Sequence, residues 1–217
     1  MGVQEMTAPE RDPAVQGGTG PRPRVTARTR SLRFDAGGTA LDLVATLGRR
    51  HGERVERLDG VERLLEWCDG VAVRLVDGEA TEALVAELRL LREALYDVAS
   101  ADLRGTAPAL PSVALVNACA RRAAVPAPRL ETGPGGVLVP VPELTGRQLR
   151  ALVARDLIAV MADPVRRAEL RECDAPECRM LYLDGTPGRR RRWCSMRHCG
   201  NNAKAARHRG RAGATPE

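Results

Sequence analysis

Four of the six cysteines have the spacing of metal ligands. Two C-x4-C pairs, Cys173 with Cys178 and Cys194 with Cys199, are separated by fifteen residues. Zn²⁺ in structural modules takes four thiolates in a tetrahedron, with Zn–S distances of about 2.3 Å. The opening residues carry no secretion signal, and in such a chain paired cysteines favour a metal over two disulfides or an iron–sulfur cluster. The spacing therefore predicts one structural zinc ion.

This ligand set argues against catalysis. A zinc ion with four thiolate ligands has no open position for the water molecule that catalytic zinc keeps. His198 is next to Cys199, but four thiolates complete the tetrahedron, so a surface position is expected for His198. The sequence contains no nucleophile motif, P-loop or dinucleotide fingerprint. Asp35 and Asp42 are expected to act as caps or solvated groups. We therefore predict that the protein is not an enzyme.

Positive charge is concentrated around the second cysteine pair. The formal net charge is +6, but residues 185–217 carry nine basic residues and one acidic residue, whereas residues 34–184 carry 19 basic and 24 acidic ones. This asymmetry indicates a polyanion partner for the basic end, although a solvated tail has the same composition. The candidate nucleic-acid contacts are Arg189, Arg190, Arg191, Arg192, Arg197, Asn201, Asn202, Lys204, Arg207 and Arg209.

Duplex DNA is the favoured polyanion. Aromatic residues make up only 2% of the chain, too few for the stacking platform that single-stranded nucleic acid requires. Basic side chains would bind phosphates with release of counterions, so binding should weaken steeply with salt. Base reading would fall to arginine or asparagine on the last helix, since the amides of Asn201 and Asn202 can pair with adenine in the major groove.

Three elements must bring the cysteines together. The segment 174–176, Asp-Ala-Pro, supplies a turn inside the first pair, because proline fixes φ. Ser195 can cap a helix that begins directly after Cys194 and carries Cys199 in its first turns. Between the pairs, RMLYLD and RRRRW are expected to form a hairpin around 185–188, with the arginines alternating between its faces. These elements give a treble-clef-like module.

The preceding sequence predicts a mainly helical body. Apolar residues recur at intervals of three and four in segments that start near residues 41, 59, 79, 111, 145 and 164. Asp59 is expected to cap the second of these helices, and the last is expected to end near Cys173. Strand-like runs at 129–132 and 136–141 flank a Gly-Pro-Gly-Gly turn and predict a hairpin. The fold class is therefore mainly α with a small β-hairpin (α+β). The predicted domains are a disordered leader (1–30), a helical domain (31–165) and a zinc module with a basic tail (170–211).

Several motifs carry a resemblance to known families. The run R-R-x-W-C-S-M-x-x-C-G-N at 190–201 resembles the CGNR zinc-finger family. The first cysteine pair, Tyr182 and Asp184 fit the same pattern. Upstream, ALDLVATL at 40–47 and LLEWCDGV at 64–71 are similar to two helix motifs of its companion domain, called ABATE.

The resemblance implies a stress-induced transcription regulator of bacteria whose zinc module binds DNA. Two positions depart from the family pattern: Asn202 stands where the family has arginine, and Ala45 where it commonly has asparagine. Asparagine is shorter than arginine and uncharged, and it cannot clamp a phosphate with two hydrogen bonds. Asn202 therefore does not supply the two-bond phosphate contact that the family arginine can make, and Ala45 does not supply the polar side chain of the family asparagine.

The residues and the resemblance together predict a zinc-dependent DNA-binding transcriptional regulator. Double-stranded DNA is the expected partner, and the helical body is expected to sense a small-molecule effector or to form a homodimer. No apolar run approaches the about 18 residues of a membrane span, so a cytoplasmic protein that joins the nucleoid is expected. The alternatives are a zinc-stapled adaptor for RNA or an acidic protein partner, and a thiol-redox sensor in which oxidation ejects zinc.

Overall fold

Helices dominate the part of the chain that the computed structural model describes, namely residues 26–127, 130–132, 136, 138–140 and 143–212. The helices are α1 (Ala27–Arg30), α2 (Thr39–Val44), α3 (Val61–Gly70), α4 (Glu82–Leu103), α5 (Leu110–Arg121), α6 (Gly146–Ala162), α7 (Pro164–Arg167) and α8 (Asn201–Ala212). The strands are β1 (Leu47–Gly48), β2 (Val55–Glu56), β3 (Arg74–Leu75), β4 (Leu130–Thr132), β5 (Leu138–Pro140), β6 (Glu143–Leu144), β7 (Leu170–Glu172) and β8 (Leu181–Leu183). A π-helical turn, Met196–Gly200, leads directly into α8. The prediction of a mainly α fold is confirmed.

The hydrophobic core lies around α4. Leu84, Leu88, Leu91 and Leu95 form the predicted apolar face of this helix and are all buried. Helices α2, α5 and α6 pack against α4 and supply the opposite side of the core. None of the described helices combines the length and the apolar character needed to cross a membrane.

The first turns of the helices show which predicted N-cap residues form capping hydrogen bonds. Thr145 caps α6 in a reciprocal arrangement with Gln148, and Asp163 accepts hydrogen bonds from the first amides of α7. The cap predicted at Asp59 was wrong, because the chain enters α3 through Gly60 and no side chain caps that helix. Gly60, in an extended conformation, is the N-cap residue of α3, so the helix starts one residue later than a cap at Asp59 would place it.

Short strands pair along the edges of the helical body. β4 and β5 form the predicted antiparallel hairpin, with Glu131 opposite Val139. β1 pairs with β2 antiparallel, and β3 pairs with β6 in parallel although 67 residues lie between them. These pairings fasten loops to the body without building a larger sheet.

The end of the predicted leader packs on the body. Thr26 caps the single turn of α1. The carbonyl of Thr29 accepts a hydrogen bond from the buried Arg57 side chain, and the carbonyl of Arg30 accepts one from Arg63. The remainder of the predicted leader, residues 1–25, lies outside the described residues.

The hairpin of the C-terminal module differs from the predicted one. β8 pairs with β7, with Arg171 opposite Tyr182, so the first cysteine pair lies in the loop that joins these strands. The prediction that the last helix of the body extends to near Cys173 was therefore wrong, since α7 ends at Arg167. The arginine run 189–192 forms no strand, and Arg189 has a φ of 47° that an extended strand does not allow. Pairing with β7 is favoured because it buries the apolar residues of both strands.

This hairpin is part of the same core as the body. Leu170, Leu181 and Tyr182 are fully buried within the hydrophobic cluster that contains the leucines of α4. The amide of Leu183 donates to the carbonyl of Ala36, and Leu183 packs against Gly37, whose φ of 100° and lack of a Cβ permit the close approach. The body and the cysteine module are therefore joined through packed apolar side chains.

Candidate metal centre and nucleic-acid interface

The four predicted ligands meet at one point. The sulfur atoms of Cys173, Cys178, Cys194 and Cys199 all lie within 4.8 Å of one another. The Cys194 sulfur is 3.7 Å from that of Cys178 and 3.6 Å from that of Cys199. A tetrahedron with Zn–S bonds of about 2.3 Å has edges of about 3.8 Å, so these two distances match the spacing of zinc ligands.

Local structure explains how each pair is held. The amide of Cys173 donates to the carbonyl of Met180 and continues the β7–β8 ladder, while the amide of Cys178 closes a turn on Ala175. Ser195 accepts hydrogen bonds from the amides of Arg197 and His198, which confirms the predicted cap after Cys194. The loop between β7 and β8 thus positions the first cysteine pair, and the helical turn capped by Ser195 positions the second.

Side chains of Tyr182, Asp184 and Arg191 hydrogen-bond the backbone that leads into the second cysteine pair. The hydroxyl of Tyr182 donates to the carbonyl of Arg191, and the fully buried Asp184 accepts from the amide of Arg191 and from Thr186. The Arg191 guanidinium lies over the Tyr182 ring at 4.8 Å and donates to the carbonyl of Cys194. Arg191 therefore holds the module together.

A buried arginine from the body also reaches the cysteine cluster. Nη1 of Arg33 donates to the sulfur of Cys194 at 3.2 Å. The pKa of the Cys194 thiol lies below its ordinary value, first because of its close contacts with the sulfurs of the other three cysteines and further because Arg33 adds positive charge. Sequence reasoning missed Arg33, since 161 positions separate it from Cys194 and no spacing pattern connects them.

The arginine run divides into different environments. Arg190 is exposed, and Arg192 is exposed with an ion pair to Asp174 and its guanidinium near the Trp193 ring. Arg189 is exposed and donates to the carbonyls of Ala168 and Val165. These three side chains lie on the surface of the module, in contrast to the partly buried Arg191.

The last helix presents several other predicted contact residues. Arg197, Asn201, Asn202 and Lys204 are all exposed, on the π-helical turn and the start of α8. The side chains of Arg207 and Arg209 lie outside the described part of the structure, although both positions belong to α8. These four exposed side chains therefore lie within five residues of Cys199, the last metal ligand.

The fold and the cysteine cluster define a class of protein, a helical body with a C-terminal structural zinc module. Residues 37–164 match the family model ABATE, described as "Putative stress-induced transcription regulator", and residues 169–212 match the model of the CGNR zinc finger. No match was found among curated proteins.

The ABATE match covers more than half of the 217 residues. The chain therefore belongs to the ABATE family and carries a CGNR zinc finger at its C-terminal end. The four-cysteine cluster is the site of one structural Zn²⁺ ion in that finger. Neither family is one of enzymes.

Proposed function

We propose that this protein is a zinc-dependent transcriptional regulator whose zinc module binds duplex DNA. The observation that carries the proposal is the position of α8, which starts two residues after Cys199 and presents exposed Asn201, Asn202 and Lys204. A helix fixed at its first turn by a metal site is a rigid element of the kind that enters the major groove. Zinc would serve as scaffold, since all four of its positions are taken by sulfur.

The exposed basic residues supply the proposed phosphate contacts. Arg190, Arg192 and Arg197 lie before and after Cys194 in the chain, so the metal site fixes their backbone relative to α8. Phosphate contacts of this kind set affinity and register, whereas base-edge contacts set sequence preference. We assign the base contacts to Asn201 and Asn202, because an asparagine amide can bond adenine through two hydrogen bonds.

The remaining partners and the location are part of the same proposal. A small-molecule effector would fit an apolar groove between α4, α5 and α6, lined by Val98, Val113, Val116, Asn117, Leu157, Ile158, Met161 and Ala162. We also expect a homodimer, a cytoplasmic location and a non-enzymatic role for a regulator that acts on chromosomal DNA. Each of these stays a prediction.

Selection of genomic fragments tests the proposal. Zinc-loaded full-length protein is mixed with sheared DNA of its own genome at near-physiological salt, and the bound fragments are sequenced. We expect a few enriched sites that share a motif. The variant Arg190→Ala should weaken recovery of these sites, whereas Arg121→Ala, which removes an exposed arginine on α5, should not.

Two other outcomes would contradict sequence-specific regulation. Flat recovery that disappears with modest added salt would indicate a nonspecific polyanion binder and favour the adaptor for RNA or an acidic protein. Absence of DNA binding, together with zinc release by mild peroxide that reductant reverses, would favour the thiol-redox sensor.

A further inference from the structure

Arg33 occupies an unusual position for an arginine. It lies in the segment before α2, and its side chain is only 5% exposed. Its Nε and Nη2 atoms donate to the carboxylate of Asp35 at 2.7 to 3.0 Å, which leaves Nη1 pointing at the sulfur of Cys194. This guanidinium thus joins a carboxylate on one side to a metal ligand on the other.

The charge of the metal site gives this contact a role. One Zn²⁺ ion with four thiolates carries a net charge of −2, and the sulfurs of Cys173 and Cys194 belong to fully buried residues. A buried charge is costly unless opposite charge or hydrogen-bond donors compensate it. Arg33 is a buried positive group of the body that donates directly to one of these sulfurs.

The contact also crosses from the body to the module. Near it, Arg49 of the body pairs with Glu177 of the cysteine loop at 3.9 Å, and Ala36 accepts from Leu183. The segment 32–36 is therefore held between α2 and the metal site. A change in the conformation of that segment would move the donor that faces Cys194.

We infer that Arg33 is a positioning residue for zinc, which stabilises the Cys194 thiolate by hydrogen bonding and couples zinc retention to the folded body. Groups that hydrogen-bond metal ligands orient them and tune their affinity for the metal. Because linkage is reciprocal, bound zinc also stabilises the segment 32–36. This inference concerns the metal alone and does not depend on DNA binding.

Zinc release from the full chain tests the coupling. Zinc-loaded wild type, Arg33→Met and Arg33→Lys are challenged with excess chelator, and the release rate is followed. We expect Arg33→Met to release zinc at least about tenfold faster, since the loss of such a supporting partner costs about 10- to 100-fold in metal affinity. Arg33→Lys should be intermediate, because a single ammonium cannot bond Asp35 and Cys194 in the same geometry.

Arg92 provides the matched control. Its side chain is also 5% exposed and pairs with the carboxylate of Glu56, but it contacts none of the four cysteines. Arg92→Met should therefore release zinc within about twofold of the wild-type rate. Equal acceleration in Arg92→Met and Arg33→Met would show a general loss of stability and would overturn the inference.

A spectroscopic readout separates a local effect from a structural one. With Co²⁺ in place of zinc, loss of a hydrogen bond to a thiolate raises the energy of the sulfur electrons and shifts the sulfur-to-cobalt charge-transfer band to lower energy. We expect this shift in Arg33→Met, a smaller one in Arg33→Lys and none in Arg92→Met. If Arg33→Met does not fold, Arg33→Lys serves as the test variant. A charge-transfer band and a zinc release rate both equal to those of the wild type in Arg33→Lys would then overturn the inference.

Discussion

Arginines of this chain divide at the residue scale into those that hold the fold and those that remain available to a partner. Arg191 stacks on Tyr182 and bonds the carbonyl of Cys194, whereas its neighbour Arg190 is exposed. The two are adjacent and chemically identical, so composition alone assigned them the same role. Their environments assign different ones.

This pair gives the first prediction. Arg190→Ala should weaken binding to duplex DNA and reduce the slope of log K against log salt by about 0.9, with unchanged stability. Arg191→Ala should lower the free energy of unfolding by about 1–2 kcal/mol, because it removes a ring contact and a hydrogen bond. Salt-dependent binding and urea unfolding of both variants make the comparison. Equal effects of the two variants on stability would contradict the division.

A second residue-scale prediction concerns Asp42. This carboxylate lies buried in α2, where it accepts from the amide of Ala36. Burial raises its pKa from 3.8 to about 6, with the nearby charges of Asp35 and Asp156 adding to the rise. The folded protein therefore holds the proton more tightly than the unfolded chain, and stability falls as pH rises from about 4 to about 6.

Replacing the carboxylate tests this pH dependence. Asp42→Asn should raise the free energy of unfolding at pH 7.5 by up to about 3 kcal/mol, at about 1.4 kcal/mol for each unit of pKa. The gain should be about half as large at pH 5, where the folded carboxyl is largely protonated. Urea unfolding of variant and wild type is compared at both pH values, so that the zinc contribution cancels. A gain that does not change with pH would be inconsistent with a raised pKa.

At the scale of elements, the β7–β8 hairpin connects two parts of the molecule. Its loop carries the first cysteine pair, and its strands place Leu170, Leu181 and Tyr182 in the core next to α4. Metal binding and core packing therefore act on opposite ends of one short hairpin. An isolated two-stranded hairpin is only marginally stable, so this one depends on both supports.

Leu181→Ala tests the packing end of the hairpin. The change leaves a cavity at a fully buried position and should lower the free energy of unfolding by about 2–5 kcal/mol. Amide hydrogen exchange should accelerate in α4 as well as in the hairpin. Met196→Ala, at a half-exposed position of the same module, should cost under about 0.5 kcal/mol. Exchange that accelerates only after residue 169 would contradict a shared core.

At the scale of the whole molecule, zinc is expected to stabilise the body as well as the module. The apolar cluster runs without a break from Leu84 in α4 to Cys194 beside the metal. Arg33 adds a polar connection at the same boundary. Loss of zinc removes the support of β7 and β8 and exposes the part of the core that they cover.

A single fluorescent reporter can measure this effect. Trp67 is fully buried in the body and Trp193 adjoins a zinc ligand, so the variant Trp193→Phe leaves Trp67 as the only tryptophan. Removal of zinc by a chelator should lower the melting temperature reported by Trp67 by roughly 10 °C, which corresponds to about 3 kcal/mol. Addition of zinc should restore it. A melting temperature unaffected by the chelator would mean that the body folds independently of the module.

Many structural features of this protein could be predicted from local sequence. The four ligands, the caps at Thr145, Asp163 and Ser195, and the hairpin of β4 and β5 were all predicted, because each depends on residues a few positions apart. The periodicity of leucines predicted α4 for the same reason. Each of these signals comes from residues close together in the chain, so it could be recognised without the tertiary structure.

Tertiary structure decided the rest. The strand partner of β8 was mispredicted because two segments, the arginine run and residues 170–172, were both available, and only core burial distinguishes them. The contact of Arg33 with Cys194 and the separate environments of Arg190 and Arg191 also depend on packing between distant segments. The sequence alone thus determined the metal ligands and the long helices. The fold determined which side chains support the metal site and which face solvent, since burial is a property of the assembled chain.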